Sequence, residues 1–107
     1  MITAVFFVDN QMPCGFSLNG HAGLAKHGQD ILCAAVSSAA YLTVNTITDV
    51  YHLPADIEQD EQIGRMTVRI APQKAAPCRE LLLGFFAHIE QLQQQYPRHI
   101  HTEYSEV

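Results

Sequence analysis

Hydrophobic and polar positions divide this chain into stretches of two periods. From Ile2 to Val8 the run is apolar on both faces, the pattern of a strand that is paired centrally or covered on both sides. Asp9 to Pro13 carries turn residues, and Cys14 to Leu18 alternates as the returning arm of a hairpin, ended by Asn19 and Gly20. His21 to Gly28 reads as a loop, with Gly23 and Gly28 supplying conformations that other residues resist. A helix is predicted from about Asp30 to Tyr51, with Asp30 as its N-cap and an Ile31 to Val36 segment apolar all the way round, as in a helix buried between layers. Pro54 closes it.

A second hairpin follows. Asp56 to Gln59 forms one arm with acidic residues outward, Asp60 to Gly64 turns, and Met66, Val68 and Ile70 alternate with Arg65, Thr67 and Arg69 in the other arm. Ala71 to Ala76 is a loop, and Pro77 opens a second helix, where its missing N–H is harmless. Leu82, Phe85, Ile89, Leu92 and Tyr96 recur down one side of that helix until Pro97 stops it. His99 to Tyr104 alternates again and is expected to be an edge strand. The predicted order is ββαββαβ, two hairpins each followed by a helix and then a last strand, which makes an α+β domain.

Composition narrows this picture. At 107 residues the chain has the size of a single domain with a real core. It is 48% hydrophobic and only 16% charged, so it folds, and it retains apolar surface for an interface. The net charge is -5 and the six Lys and Arg stand singly, which argues against direct binding to a nucleic-acid backbone. The segment MITAVFFVDN lacks a basic leading region and a small-residue cleavage pattern, so it reads as a strand and not a signal peptide. With Ser37, Ser38, Thr43 and Asn45 counted as polar, no apolar run is expected to reach the roughly 18 residues of a membrane span. Cys14, Cys33 and Cys78 are odd in number and widely spaced, as expected of free thiols in a cytoplasmic protein.

The unusual chemistry lies in Gly20 to Ser37, GHAGLAKHGQDILCAAVS. A thiol becomes a good nucleophile when its thiolate is favoured, and the free N–H groups and dipole of a helix N-terminus do this. With Asp30 as N-cap, Cys33 would be the third helical residue, inside that first turn. His21, at the end of a strand on a glycine-containing loop, is the candidate base, drawing the thiol proton and later giving it to a leaving amine. Backbone N–H groups at the helix start would serve as oxyanion donors. Ser37 follows Cys33 by one turn on the same face, so its hydroxyl could orient the thiol or a substrate.

Set beside this, a Cys in an Ala-rich apolar helix is more often a small buried hydrophobe than a catalyst. Asp30 is most simply a helix cap, and a single His in a loop is usually just solvated. A metal site is the rival reading: His21, His27 and Cys33 are plausible zinc ligands, and His99 and His101 share one face of a strand, but close CxxC or HxxxH pairs are missing. Cys14 and Cys78 are expected to be core or boundary thiols. No cofactor is called for.

A resemblance changes the balance. GHA, five residues, G, one residue, DI, one residue, CA and, after two more residues, Ser37 resemble the signature of the ribosomal-processing cysteine proteases, the Prp or YsxB-like family of bacteria. Thr43 to Asn45, TVN, and the order of hairpins and helices also look like that family. The family often carries an aromatic residue just before the second glycine of the motif, where this chain has His27. The resemblance implies that Cys33 is the nucleophile and His21 the general base and acid, with Asp30 and Ser37 at supporting motif positions. It further implies a homodimer that removes a short, apolar, aromatic-containing N-terminal extension from one large-subunit ribosomal protein, the twenty-seventh. The alternative is a non-enzymatic ribosome-associated or small metal-binding domain in which His21 and Cys33 are structural.

Overall fold

Strand β1, Ile2–Asp9, owes its apolar run to its position: it is paired on both sides, antiparallel to β2 (Met12–Asn19) and parallel to β5 (Ile100–Glu106). In this computed structural model residues 1–20 and 26–107 are described, residues 26–30 through their backbone alone. Strands β3 (Asp56–Asp60) and β4 (Arg65–Arg69) complete a five-stranded mixed sheet of order β3-β4-β2-β1-β5. Helix α1, Lys26–Asn45, follows the first hairpin, and α2, Arg79–Gln95, follows the second. The order is ββαββαβ, as the sequence predicts, and β5 is an edge strand.

One face of the sheet is the core. Ala4 and Phe6 of β1, Leu18 and Phe16 of β2, and Met66 and Val68 of β4 are in register across the strands, as Ile2 is with Ile100 of β5, and none is more than 7% exposed. Helix α2 lies on that face: Phe86 stacks on Phe6 with centroids 4.3 Å apart, and Phe85 meets Phe16 at 4.3 Å. Phe86 is a core residue that the expected stripe of Leu82, Phe85, Ile89, Leu92 and Tyr96 does not contain. From α1, the i, i+4 series Leu32, Val36 and Ala40 is buried, with Ile47 beyond it.

The first turn is tighter than its sequence suggests. Only Asn10 and Gln11 turn, at φ 47° and 69°, the backbone of a two-residue hairpin loop matched to strand twist. Pro13, expected in the turn, lies inside β2 opposite Val8, beside the register shift between Phe7 and Val8 that leaves Cys14 as an extra residue. A bulge of this kind is where a strand tolerates proline. Likewise Pro77 stands in a 3-10 turn, Ala76–Cys78, just ahead of α2 and not within it.

Helix α1 departs most from expectation. It begins at Lys26, not at Asp30, so Asp30 is inside the helix and is not its N-cap. A single internal glycine costs about 1 kcal/mol in a helix, and a helix anchored by Leu32, Val36 and Ala40 carries Gly28 at that cost. At its other end α1 runs on through a π-helical turn, Thr46–Val50, where the Tyr51 N–H donates to the Thr46 carbonyl at 2.9 Å. The hydroxyls of Thr43, Thr46 and Thr48 each donate to the carbonyl four residues back, at 2.8, 2.8 and 3.1 Å. These polar residues therefore do not interrupt the apolar helix, and Ile31–Val50 is, contrary to the sequence reading, long and apolar enough to cross a membrane by length and composition. In the fold its inner stripe is pressed into the core of the α+β domain.

Candidate active site

Between α1 and the β3–β4 hairpin runs a groove of about 300 Å³. Its floor is the sheet, through Ile2, Leu18 and Met66, which are 3–7% exposed. One wall is a single face of α1, where Cys33, Ser37 and Tyr41 follow one another at helical spacing. The opposite wall is the end of β3 with the turn that follows it, Gln59, Asp60 and Glu61. Cys33 is partly exposed and Ser37 exposed, so the thiol and the hydroxyl both face open space, as their spacing predicts.

Strand β2 ends at the same groove. Gly20 lines it at φ 93°, with its N–H donating to the Gly64 carbonyl at 3.0 Å. A Cβ built on Gly20 would lie 2.4 Å from the Met1 carbonyl oxygen, so this position accepts only glycine. The chain thus leaves the sheet at the groove that holds Cys33, and the next residue in sequence is His21. His21 itself, the predicted loop from His21 to Gly28 up to Ala25, and the side chains of His27 and Asp30 lie outside the described residues.

The structure corrects the expected setting of the thiol. Counted from Lys26, Cys33 is the eighth residue of α1, not the third. The free N–H groups of a helix start belong to its first four residues. Here these are Lys26 to Gln29, about one to two turns before the thiol, so the N–H of Cys33 is engaged within the helix and is no oxyanion donor.

Cys14 and Cys78 are buried, 3% and 0% exposed. Burial pushes the Cys14 thiol up, and the Asp9 carboxylate adds to this. Burial also raises Cys78, whose Sγ donates to the Ala75 carbonyl at 3.2 Å. Both are thiols at neutral pH and out of reach of reagents except through local opening. In the folded protein iodoacetamide at pH 7 should therefore label Cys14 and Cys78 on the order of 100-fold more slowly than Cys33, as read by peptide mass spectrometry. In guanidinium the three should converge; equal rates in the native protein would contradict this assignment. Among the described residues no group of three or more His, Cys, Asp and Glu side chains could hold a metal ion, and His21 and His27 are not among them.

Two groove residues, Tyr41 and Gln59, escape sequence reading. Tyr41 follows Cys33 and Ser37 by the same helical step, a signal available in the sequence, whereas Gln59 reaches the groove only because β3 pairs as an edge strand beside β4.

A family model described as cysteine protease Prp matches residues 1–101. The ribosomal processing cysteine protease Prp of Staphylococcus aureus (strain Mu50) is 24% identical over 87 residues, 81% of this chain and 82% of the relative. The crystal structure of SMU.848 from Streptococcus mutans superposes with a TM-score of 0.87 at 26% identity, over 100% of this chain and 96% of that one. The ribosomal processing protease Prp from S. aureus, in complex with a covalently linked product peptide, superposes with a TM-score of 0.88 at 24% identity, over 98% of this chain and 100% of that one.

Proposed function

The chain belongs to the Prp family of cysteine proteases, and from that membership we propose that it removes the N-terminal extension of a large-subunit ribosomal protein, the twenty-seventh, during ribosome maturation. The observation that carries this is the position of Cys33: a partly exposed residue on the wall of an open groove with an apolar floor. The S. aureus relative, a ribosomal processing protease whose structure holds a covalently linked product peptide, supports the same route here.

In this mechanism His21 takes the Cys33 proton and the thiolate attacks the scissile carbonyl. The tetrahedral intermediate collapses to a thioester as His21 returns the proton to the departing amine, and water, activated by the same imidazole, releases the acid and the free thiol. Because Cys33 is not in the first turn of α1, the base has the larger share in activating it. What supports His21 in that role is its place in the chain directly after Gly20, whose backbone is fixed at the rim of the groove. Ser37, one turn from Cys33 on the same wall, is the supporting hydroxyl, and Asp30 the supporting carboxylate.

The substrate and setting follow the same reading. The apolar floor suits the apolar and aromatic residues of the extension, and Asp60 and Glu61 on the rim favour the basic mature N-terminus beyond the cut. The enzyme acts as a homodimer in the cytoplasm; Ile31, Leu42 and Val50, 66–68% exposed, provide apolar surface for a subunit contact. Incubating the purified protein with a synthetic peptide that spans the extension and the mature N-terminus should give two products cut at one bond, read by mass spectrometry. An intact peptide after prolonged incubation with active-thiol protein would refute the assignment.

A further inference from the structure

Tyr41 and Gln59 face each other across the groove, one from α1 and one from β3, and the Gln59 side-chain N–H donates to the Tyr41 hydroxyl oxygen. This hydrogen bond ties the helix to a strand of which every residue is otherwise exposed. It also uses only part of what each side chain offers. The Tyr41 hydroxyl keeps its own O–H donor, and Gln59 keeps its Oε1 acceptor. Both groups are solvent-accessible at the groove, Tyr41 being 41% exposed.

The pair stands at a fixed distance from the thiol. Tyr41 follows Cys33 by eight residues of α1 on the same wall, about 12 Å at 1.5 Å per residue. An extended peptide advances about 3.3 Å per residue, so roughly four of its residues cover that distance. A donor and an acceptor held side by side match one chemical group in a peptide, an amide, which presents a carbonyl and an N–H together. Waters removed from Tyr41 and Gln59 by an apolar residue would leave both valences unmet, and this discriminates against such residues more strongly than a hydrogen bond rewards the correct one.

Resting on the peptidase reading above, we infer that Tyr41 and Gln59 form a specificity clasp that closes one end of the groove and selects an amide of the substrate about four residues from the scissile bond. The amide belongs either to an Asn or Gln side chain or to the peptide backbone at that position. Neither clasp residue takes part in bond breaking; they set which peptides are held and in what register.

The test uses binding and cleavage in parallel. A fluorescein-labelled peptide spanning the extension and the mature N-terminus is titrated against Cys33→Ala protein, and against the same protein carrying Tyr41→Phe or Gln59→Leu. A peptide set replaces each carboxamide within about five residues of the cut by Ala, or N-methylates the backbone there. Loss of one hydrogen bond should weaken binding about fivefold to tenfold for Tyr41→Phe and for Gln59→Leu. Against one altered peptide, and only that one, the clasp variants should bind as tightly as the unsubstituted clasp does. Alanine in that peptide identifies a side-chain amide, N-methylation a backbone amide. In the active protein the same variants should raise KM for the intact peptide and leave kcat within about twofold, as expected for uniform binding. Equal weakening of every peptide, or none, overturns the clasp while leaving the peptidase assignment in place. Failure of the Cys33→Ala protein to bind any peptide, together with no cleavage by the unaltered protein, overturns both.

Discussion

Cys33→Ala should abolish peptide cleavage, lowering kcat by at least about 10⁴-fold, because removal of a nucleophile costs far more than the groove's binding contribution can restore. The fold should be unaffected. Cys33 is only partly buried and lines a groove, and replacing it with Ala removes one atom without opening a closed cavity. The stability change should stay within about 1 kcal/mol by urea titration. The same assay on His21→Ala should show a comparable loss. Ser37→Ala should show a smaller one, as expected of a supporting hydroxyl. If Cys33→Ala cleaves at more than a few per cent of the normal rate, another group is the nucleophile.

Phe86→Ala should act in the opposite way, on the fold and not on the chemistry. Phe86 is 1% exposed, stacks on Phe6 and meets Tyr104 edge-on with centroids 6.0 Å apart, so it joins α2 to both β1 and β5. Removing a buried Phe costs about 3–5 kcal/mol through lost transfer energy and the cavity that remains, against a total of roughly 5–15 kcal/mol for a domain. The urea midpoint should fall sharply, with cleavage by the remaining folded fraction intact. Leu83→Ala on the outer side of α2, where the side chain is 39% exposed, is the control and should change stability by less than about 1 kcal/mol. Equal effects at the two positions would mean that α2 does not pack as described.

The sequence carries most of this architecture because its elements differ in period. The alternation from Arg65 to Ile70, the stripe from Leu82 to Ile89 and the turn chemistry between Asp60 and Gly64 all report local constraints, and these are the parts that match. The mismatches arise where tertiary packing decides. Gly28 reads as a breaker, yet the buried stripe of α1 carries the helix through it, and this shift alone moved Cys33 out of the first turn. Pro13 reads as a turn residue, yet a bulge admits it to a strand. Of the site, Cys33 and Ser37 are legible as neighbours on one helix face, because i, i+4 spacing is local. Gln59 is not, since its place depends on a strand pairing that no spacing reveals.

The pairing of β1 with β5 has a consequence for how the molecule comes into being. Ile2 is in register with Ile100, and Val8 with Glu106, so one whole flank of a central, apolar strand is satisfied by the residues farthest from it along the chain. Contacts of that span are reached late, because the loop to be closed contains the other three strands and both helices. On a ribosome, β1 emerges first and waits with that flank bare, an invitation to any other extended chain nearby. A member of a cysteine protease family is thus itself, while being translated, dependent on β5 to silence β1.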